Sequence, residues 1–155
     1  MAEVLLFAFL IGLIAGLRAL TAPAAVAWAG FGRGILHNTP LSFMGSLPVA
    51  LVFTVLAVLE LLNDKRPSAP SRLAPPGLIA RIITGGLSGA CLAAADAQSI
   101  AFGAVLGAVG GVVAAFVGYH ARKKAVQALK TRDLPIALLE DAIAIGGAIL
   151  IVSRF

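Results

Sequence analysis

Residues 100–119 read Ile100-Ala-Phe-Gly-Ala-Val-Leu-Gly-Ala-Val-Gly-Gly-Val-Val-Ala-Ala-Phe-Val-Gly-Tyr119, 20 residues without a charge, a proline or an amide side chain. A bilayer core about 30 Å thick is crossed by roughly 20 apolar residues in a helix, so this run predicts a transmembrane span. It is too long and too rich in Ala and Gly for the alternating strands of a membrane barrel. Small residues recur along it at Gly103, Gly107, Gly111, Ala114 and Gly118, a stripe down one helix face. In lipid, where tails are as apolar as leucine, such stripes bring helix backbones together. The stripe predicts close helix packing within the chain or between copies, with the lining of a pore as the sharper alternative.

Working outward, four more apolar segments are predicted, at 4–31, 46–62, 77–95 and 134–152. The expected fold is an all-α transmembrane bundle of about five spans in a single domain covering residues 1–155. Composition agrees: 60% of the 155 residues are hydrophobic and only 12% are charged, about half the share that a soluble domain carries. Mean hydropathy is +1.01. Met-Ala-Glu precedes the first apolar run and is acidic where a cleaved signal would be basic, so that run is expected to be retained.

Segment one is too long. Its roughly 28 residues would make a helix of about 42 Å, and Pro23 withdraws an amide donor from the carbonyl of Ala19. The segment is therefore expected to kink or break near Pro23. As one span it places the N-terminus in the cytoplasm and the C-terminus outside. As a broken hairpin it moves the N-terminus across and leaves the other spans unchanged.

The net charge of +5 does not call for nucleic acid. On the five-span reading nine of the twelve basic residues share one side: Lys65, Arg66, Arg72, Arg81, Arg122, Lys123, Lys124, Lys130 and Arg132. Lys and Arg collect on the cytoplasmic side of membrane proteins, where anionic lipid attracts them. Membrane lipid and a homo-oligomeric partner are expected, and nucleic acid is not.

Ionisable residues inside a span are costly, at least about 2.5–3.5 kcal/mol at a helix centre, and normally face inward, pair or serve a pathway. Arg18 lies deep in segment one. Glu60, Asn63 and Asp64 close segment two, with Glu60 and Asp64 one helical turn apart on the same face. Arg81 shares a face of segment three with Thr84 and Ser88, and Glu140 and Asp141 lie about two turns inside segment five. Glu60, Asp64, Arg81, Glu140 and Asp141 can occupy the same half of the membrane, four carboxylates near one arginine. Glu60, Asn63, Asp64, Glu140 and Asp141 are the candidate cation- or proton-binding residues, with Arg18 and Arg81 neutralising or gating them. The alternatives are helix-end stabilisation for Glu60 and Asp64, and buried pairs of Glu140 and Asp141 with Arg81 or Arg18. For Arg18 itself the alternatives are to satisfy the carbonyl freed near Pro23 or to snorkel outward.

Cys91 has no partner, and His37 and His120 have no second ligand at metal spacing. No phosphate loop, dinucleotide fingerprint or nucleophile elbow is present. No metal, cofactor or enzymatic activity is expected. A lipid-processing enzyme at the acidic cluster would need a bound metal.

Ser46-Leu47-Pro48-Val49-Ala50-Leu51 opens segment two and Asp133-Leu134-Pro135-Ile136-Ala137-Leu138 opens segment five, in helices of opposite direction. An inverted repeat would require this, although a capped start with an early proline is common. Gly12-Leu13-Ile14-Ala15 and Gly77-Leu78-Ile79-Ala80 also match, at another offset and, with five spans, in parallel helices.

Gly16-Leu17-Arg18-Ala19-Leu20-Thr21-Ala22-Pro23, Glu60-x-x-x-Asp64-Lys65-x-Pro67, Pro76, Arg81, Gly85-Gly86 and Glu140-Asp141 follow one another in an order that resembles a bacterial family of small membrane proteins. That family is known as domain of unknown function 4126. The resemblance covers most of the chain. It implies a multi-span protein of the inner membrane and supplies no activity. The leading expectation from the residues is a small transporter or channel for a cation or proton. The rival is a membrane scaffold in which the buried charges are structural pairs.

Overall fold

The computed structural model describes residues 2–64, 71, 73–129 and 133–155. Most of the basic linker, Lys65 to Pro70 and Arg72, lies outside the described residues, as do Lys130 and Arg132. Among the described residues six α-helices follow one another: α1 Ala2–Leu17, α2 Thr21–Arg33, α3 Leu47–Asn63, α4 Pro75–Ala95, α5 Ile100–Leu129 and α6 Asp133–Val152. A 3-10 turn, Ser42–Gly45, precedes α3, and there is no strand among the described residues. The helices α4, α5 and α6 are each long and apolar enough to cross a membrane, and α1 and α3 are shorter apolar helices.

The first segment is broken. Arg18 closes the last turn of α1 through its amide to the carbonyl of Ile14 (2.8 Å), and helix resumes at Thr21. The break falls near Pro23, as expected, but the proline itself lies just inside the second helix. It sits at the third position of α2, where a helix leaves its N–H groups without internal acceptors, so the missing donor costs nothing. At the other end of α2, Gly34 takes a left-handed conformation (φ 68°) and returns its N–H to the carbonyl of Gly30 at 3.0 Å.

Glycines fix how the helices run. A Cβ on Gly12 would strike the backbone of Gly107, and one on Gly16 the backbone of Gly111 and Ala115, so α1 and α5 are parallel. Gly85 meets Gly107, and Gly89 meets Gly103, so α4 is antiparallel to both. These three helices touch backbone to backbone. Gly103, Gly107 and Gly111 are filled in by α4, with α1 alongside at Gly12 and Gly16, and no channel runs between these three helices.

The helices α2 and α6 pack on this trio, and α3 packs on α2. Ala144 and Ala148 of α6 join Ile11, Ile14 and Ala15 of α1 in the apolar core. α3 returns alongside α2, with Trp28 Nε1 donating to Thr54 Oγ1 at 2.8 Å. Arg33 at the end of α2 donates to the Val152 carbonyl at 2.8 Å, which satisfies a carbonyl at the C-terminus of α6.

Consecutive helices therefore alternate in direction, and the single-span reading of residues 4–31 is replaced by the hairpin. The rings of Phe7 and Phe155 meet edge to face, with centroids 5.8 Å apart. Both termini lie at one end of the bundle, whereas a single first span would put them at opposite ends. The break at Arg18 reverses the chain once more than one span allows. α1 is antiparallel to α4, which removes the parallel relation expected between the Gly12 and Gly77 motifs. Corresponding helices of the two halves, α1–α3 and α4–α6, run oppositely, but any alternating six-helix chain has that property. Ser46 makes no side-chain cap on α3, and Asp133 is itself in α6 and bonded to Arg122.

Candidate functional site

The break between α1 and α2 presents amides without helical acceptors. Glu60, in the last turn of α3, accepts both: Ala19 N–H donates to Oε1 at 2.8 Å and Leu20 N–H to Oε2 at 2.9 Å. A carboxylate suits a helix N-terminus, where unsatisfied N–H groups and the helix dipole carry positive charge. Glu60 thus ties the end of α3 to the start of α2. Arg81 Nη2 stands 4.0 Å from Glu60 Oε1. The Arg81 guanidinium is held mainly by backbone, donating from Nε to the Gly16 carbonyl at 3.0 Å and from Nη1 to the Gly77 carbonyl at 2.9 Å.

Arg18 sits beside this contact. It is fully buried (0% exposed) and lies between two carboxylates from different helices, Asp64 of α3 and Asp141 of α6. Nη1 donates to Asp64 Oδ2. Nη2 lies 2.5 Å from Asp141 Oδ1 as an ion pair out of line for a hydrogen bond. Its Nε has no acceptor among the described residues, and neither does the buried hydroxyl of Thr21, three residues on.

A third arginine extends the network. Arg122, in the last turns of α5, places Nη1 3.2 Å from Asp64 Oδ2 and 3.4 Å from Glu140 Oε2. It also grips Asp133 with two parallel bonds, Nε to Oδ1 at 2.8 Å and Nη2 to Oδ2. This fork geometry gives an arginine–carboxylate pair its directionality.

Among the described residues the network joins five carboxylates (Glu60, Asp64, Asp133, Glu140, Asp141) to three guanidiniums (Arg18, Arg81, Arg122). All six helices contribute, if Arg18 and the Ala19 and Leu20 amides stand for α1 and α2. The bundle end that carries it is opposite the one that holds both termini. Of the candidates named from sequence, Glu60, Asp64, Glu140, Asp141, Arg18 and Arg81 come together here. Asn63 does not: it is exposed at the end of α3. Arg18, rather than Arg81, is central. Thr84 and Ser88 donate instead to carbonyls of their own helix, those of Ala80 and Thr84.

Arg122 and Asp133 do not stand out in the sequence, because Arg122 lies beyond the apolar run 100–119, in the part of α5 that continues to Leu129, and Asp133 reads as a helix cap. A signal existed. Arg122 follows Gly111 by 11 residues, three helical turns, and so continues the glycine face toward the interior. Asp133 precedes Asp141 by eight residues on the face that carries Ala137, Ala144 and Ala148.

No three His, Cys, Asp or Glu side chains among the described residues are placed to hold a metal ion. Arg18 stands between Asp64 and Asp141, and Arg122 among Asp64, Asp133 and Glu140.

Close-packed apolar helices, with an ionic network confined to one end, fit a membrane protein. The chain belongs to the family whose model, described as a domain of unknown function (DUF4126), matches residues 5–153. No curated protein and no solved structure matches it.

Proposed function

We propose that this protein is a small transporter or channel of the bacterial inner membrane, moving a proton or another cation with the help of its buried carboxylates. The observation that carries this reading is Arg18, wholly buried between Asp64 and Asp141 at the point where the first segment breaks. Burying such charges costs several kcal/mol per ion before pairing offsets it. The glycine contacts already hold α1, α4 and α5 together without charge. Interrupted helices whose free N-terminal amides face an ionic site are a recurrent feature of transporters. Protonating or occupying Asp141 or Asp64 would weaken their hold on Arg18 and so couple ion binding to helix position. Glu60, Glu140 and Arg122 would take part in the same exchange.

The close packing of α1, α4 and α5 confines any route to the side of α2, α3 and α6, or to a seam between copies in a homo-oligomer. The basic end, with Arg122, Lys123 and Lys124, would face the cytoplasm and its anionic lipid. Both termini would then lie outside.

One observation favours the rival scaffold reading: guanidiniums already pair with the carboxylates, as helix-registering ion pairs would. The two readings part in proteoliposomes. Proton, Na⁺ and K⁺ flux is measured for the unaltered protein and for a folded Glu140→Gln, Asp141→Asn variant. Flux that vanishes in the variant supports transport through this network. No flux from either protein under any of the three gradients overturns it in favour of the scaffold.

A further inference from the structure

The helix α3 is held differently from the other five. Only Ala50 and Ala57 along its length are buried, while Leu51, Val52, Val55, Leu56, Val58, Leu59 and Leu62 are exposed. In an apolar surrounding those residues gain nothing by packing inward, so α3 depends on backbone contact and polar ties. These are concentrated at its two ends. Near its start, Gly45 lies against Gly30 of α2, where a Cβ on either glycine would come within 2.9 Å of the other's backbone. At its far end Glu60 holds the Ala19 and Leu20 amides, and Asp64 holds Arg18 and Arg122. Between the two, the Trp28–Thr54 hydrogen bond is the single polar tie from α3 to another helix among the described residues.

Beside α3 lies an apolar crevice of about 260 Å³, with walls from α2 (Thr21, Trp28), α3 (Ala57, Leu61) and α6 (Ile145, Ala148). Thr21, whose buried hydroxyl lacks a partner among the described residues, lines the crevice three residues beyond Arg18.

We propose that α3 is a hinged leaf, pinned at Gly30–Gly45 and latched at its other end by Glu60 and Asp64. Releasing the latch swings α3 away from α6 and opens the crevice toward Arg18 and Asp141. At 1.5 Å per residue the 17 residues of α3 form a lever of about 25 Å, so each 10° of swing moves its latched end by about 4 Å. The hinge stands whether or not an ion crosses the protein, and it identifies α3 as the helix that would move if one does.

The test uses pairs of spin labels on the full-length chain in nanodiscs, with Cys91, the single native cysteine, replaced by alanine. One pair, Leu59→Cys with Val117→Cys, reports the latched end against α5. The other, Val52→Cys with Phe102→Cys, reports the pinned end. All four sites are exposed. Asp64→Asn, or the milder Glu60→Gln that keeps an oxygen acceptor, should lengthen the first distance by several ångströms and leave the second unchanged. Asp64→Glu, which keeps the charge, should restore the first distance. The same latch variants carrying native Cys91, which is fully buried, should resist maleimide as the unaltered protein does. If neither distance changes, or if both lengthen together, α3 is not hinged and the proposal is overturned. Reactive Cys91 would overturn it as well, by showing that the ion pairs hold the whole bundle rather than one helix.

Discussion

Adding a methyl group at Gly107 should be among the most damaging small changes in this protein, while the same change at Gly146 should help. A Cβ at Gly107 would overlap the Gly85 carbonyl oxygen and lie 2.9 Å from its carbon and 3.1 Å from Gly89 Cα. Every one of those atoms is backbone, so no side chain can rotate away, and α4 and α5 must separate. Overpacking of an ordinary core costs about 1–3 kcal/mol, and a contact between two rigid backbones belongs at the top of that range, near 3 kcal/mol. Gly146 has nothing within 4 Å of its would-be Cβ. There, Gly→Ala should return the helix-propensity difference of about 0.5–1 kcal/mol in favour of the folded state. The predicted gap between the two variants is therefore about 3.5–4 kcal/mol, with opposite signs relative to the unaltered protein. Equilibrium unfolding in mixed micelles, followed by helical circular dichroism, measures it. A gap under about 1 kcal/mol would refute the reasoning. So would a Gly107→Ala variant of unchanged stability that altered only the oligomeric state, since the stripe would then serve contacts between copies.

The ionic network gives further expectations. Arg18→Met removes the buried guanidinium from Asp64 and Asp141 and should destabilise by about 3 kcal/mol, the low end for breaking a buried pair because Asp64 keeps Arg122. Adding Asp141→Asn should recover at least about 1 kcal/mol of that, and a double-mutant cycle that closes additively within about 0.5 kcal/mol would deny the pairing. Glu60→Gln leaves one acceptor oxygen where the carboxylate had two, so it removes one of the bonds to the Ala19 and Leu20 amides and the charge from the other, and should cost about 1.5–3 kcal/mol. Amide hydrogen exchange should accelerate first at those two residues, and uniform acceleration along α2 would count against the account. Trp28→Phe keeps the ring and removes the donor to Thr54, for an expected loss of about 1 kcal/mol with no change in fold.

Much of the site could be read from the chain because ionisable groups are so rare in its apolar segments. Glu60, Asp64, Glu140, Asp141, Arg18 and Arg81 stand out against lipid-like surroundings by residue type alone, and helical spacing indicates which of them share a face. Partnership was not legible in the same way. Arg122 and Arg18 belong to different sequence contexts, a basic loop and an apolar run, yet both touch Asp64. Asp64 is 46 residues from Arg18 and 58 from Arg122, and no local rule spans that distance. Asn63 shows the opposite failure: it neighbours Asp64 in sequence but lies about 100° around the helix, on the exposed side.

The sequence by itself determined that the chain forms apolar helices, the approximate bounds of α3, α4 and α6, and that the stripe Gly103, Gly107, Gly111 must meet something closely. Those properties depend on residue type and on a period of 3.6, both local. The sequence also marked the first segment to kink or break near Pro23; tertiary structure decided that it breaks into two antiparallel helices and that the reversal falls at Arg18, five residues before the proline. The reason is energetic. Breaking a helix exposes amides that lipid cannot satisfy, so a break persists only where another part of the fold supplies the acceptor. That acceptor is Glu60, forty residues further along the chain, and only folding brings it to Ala19 and Leu20.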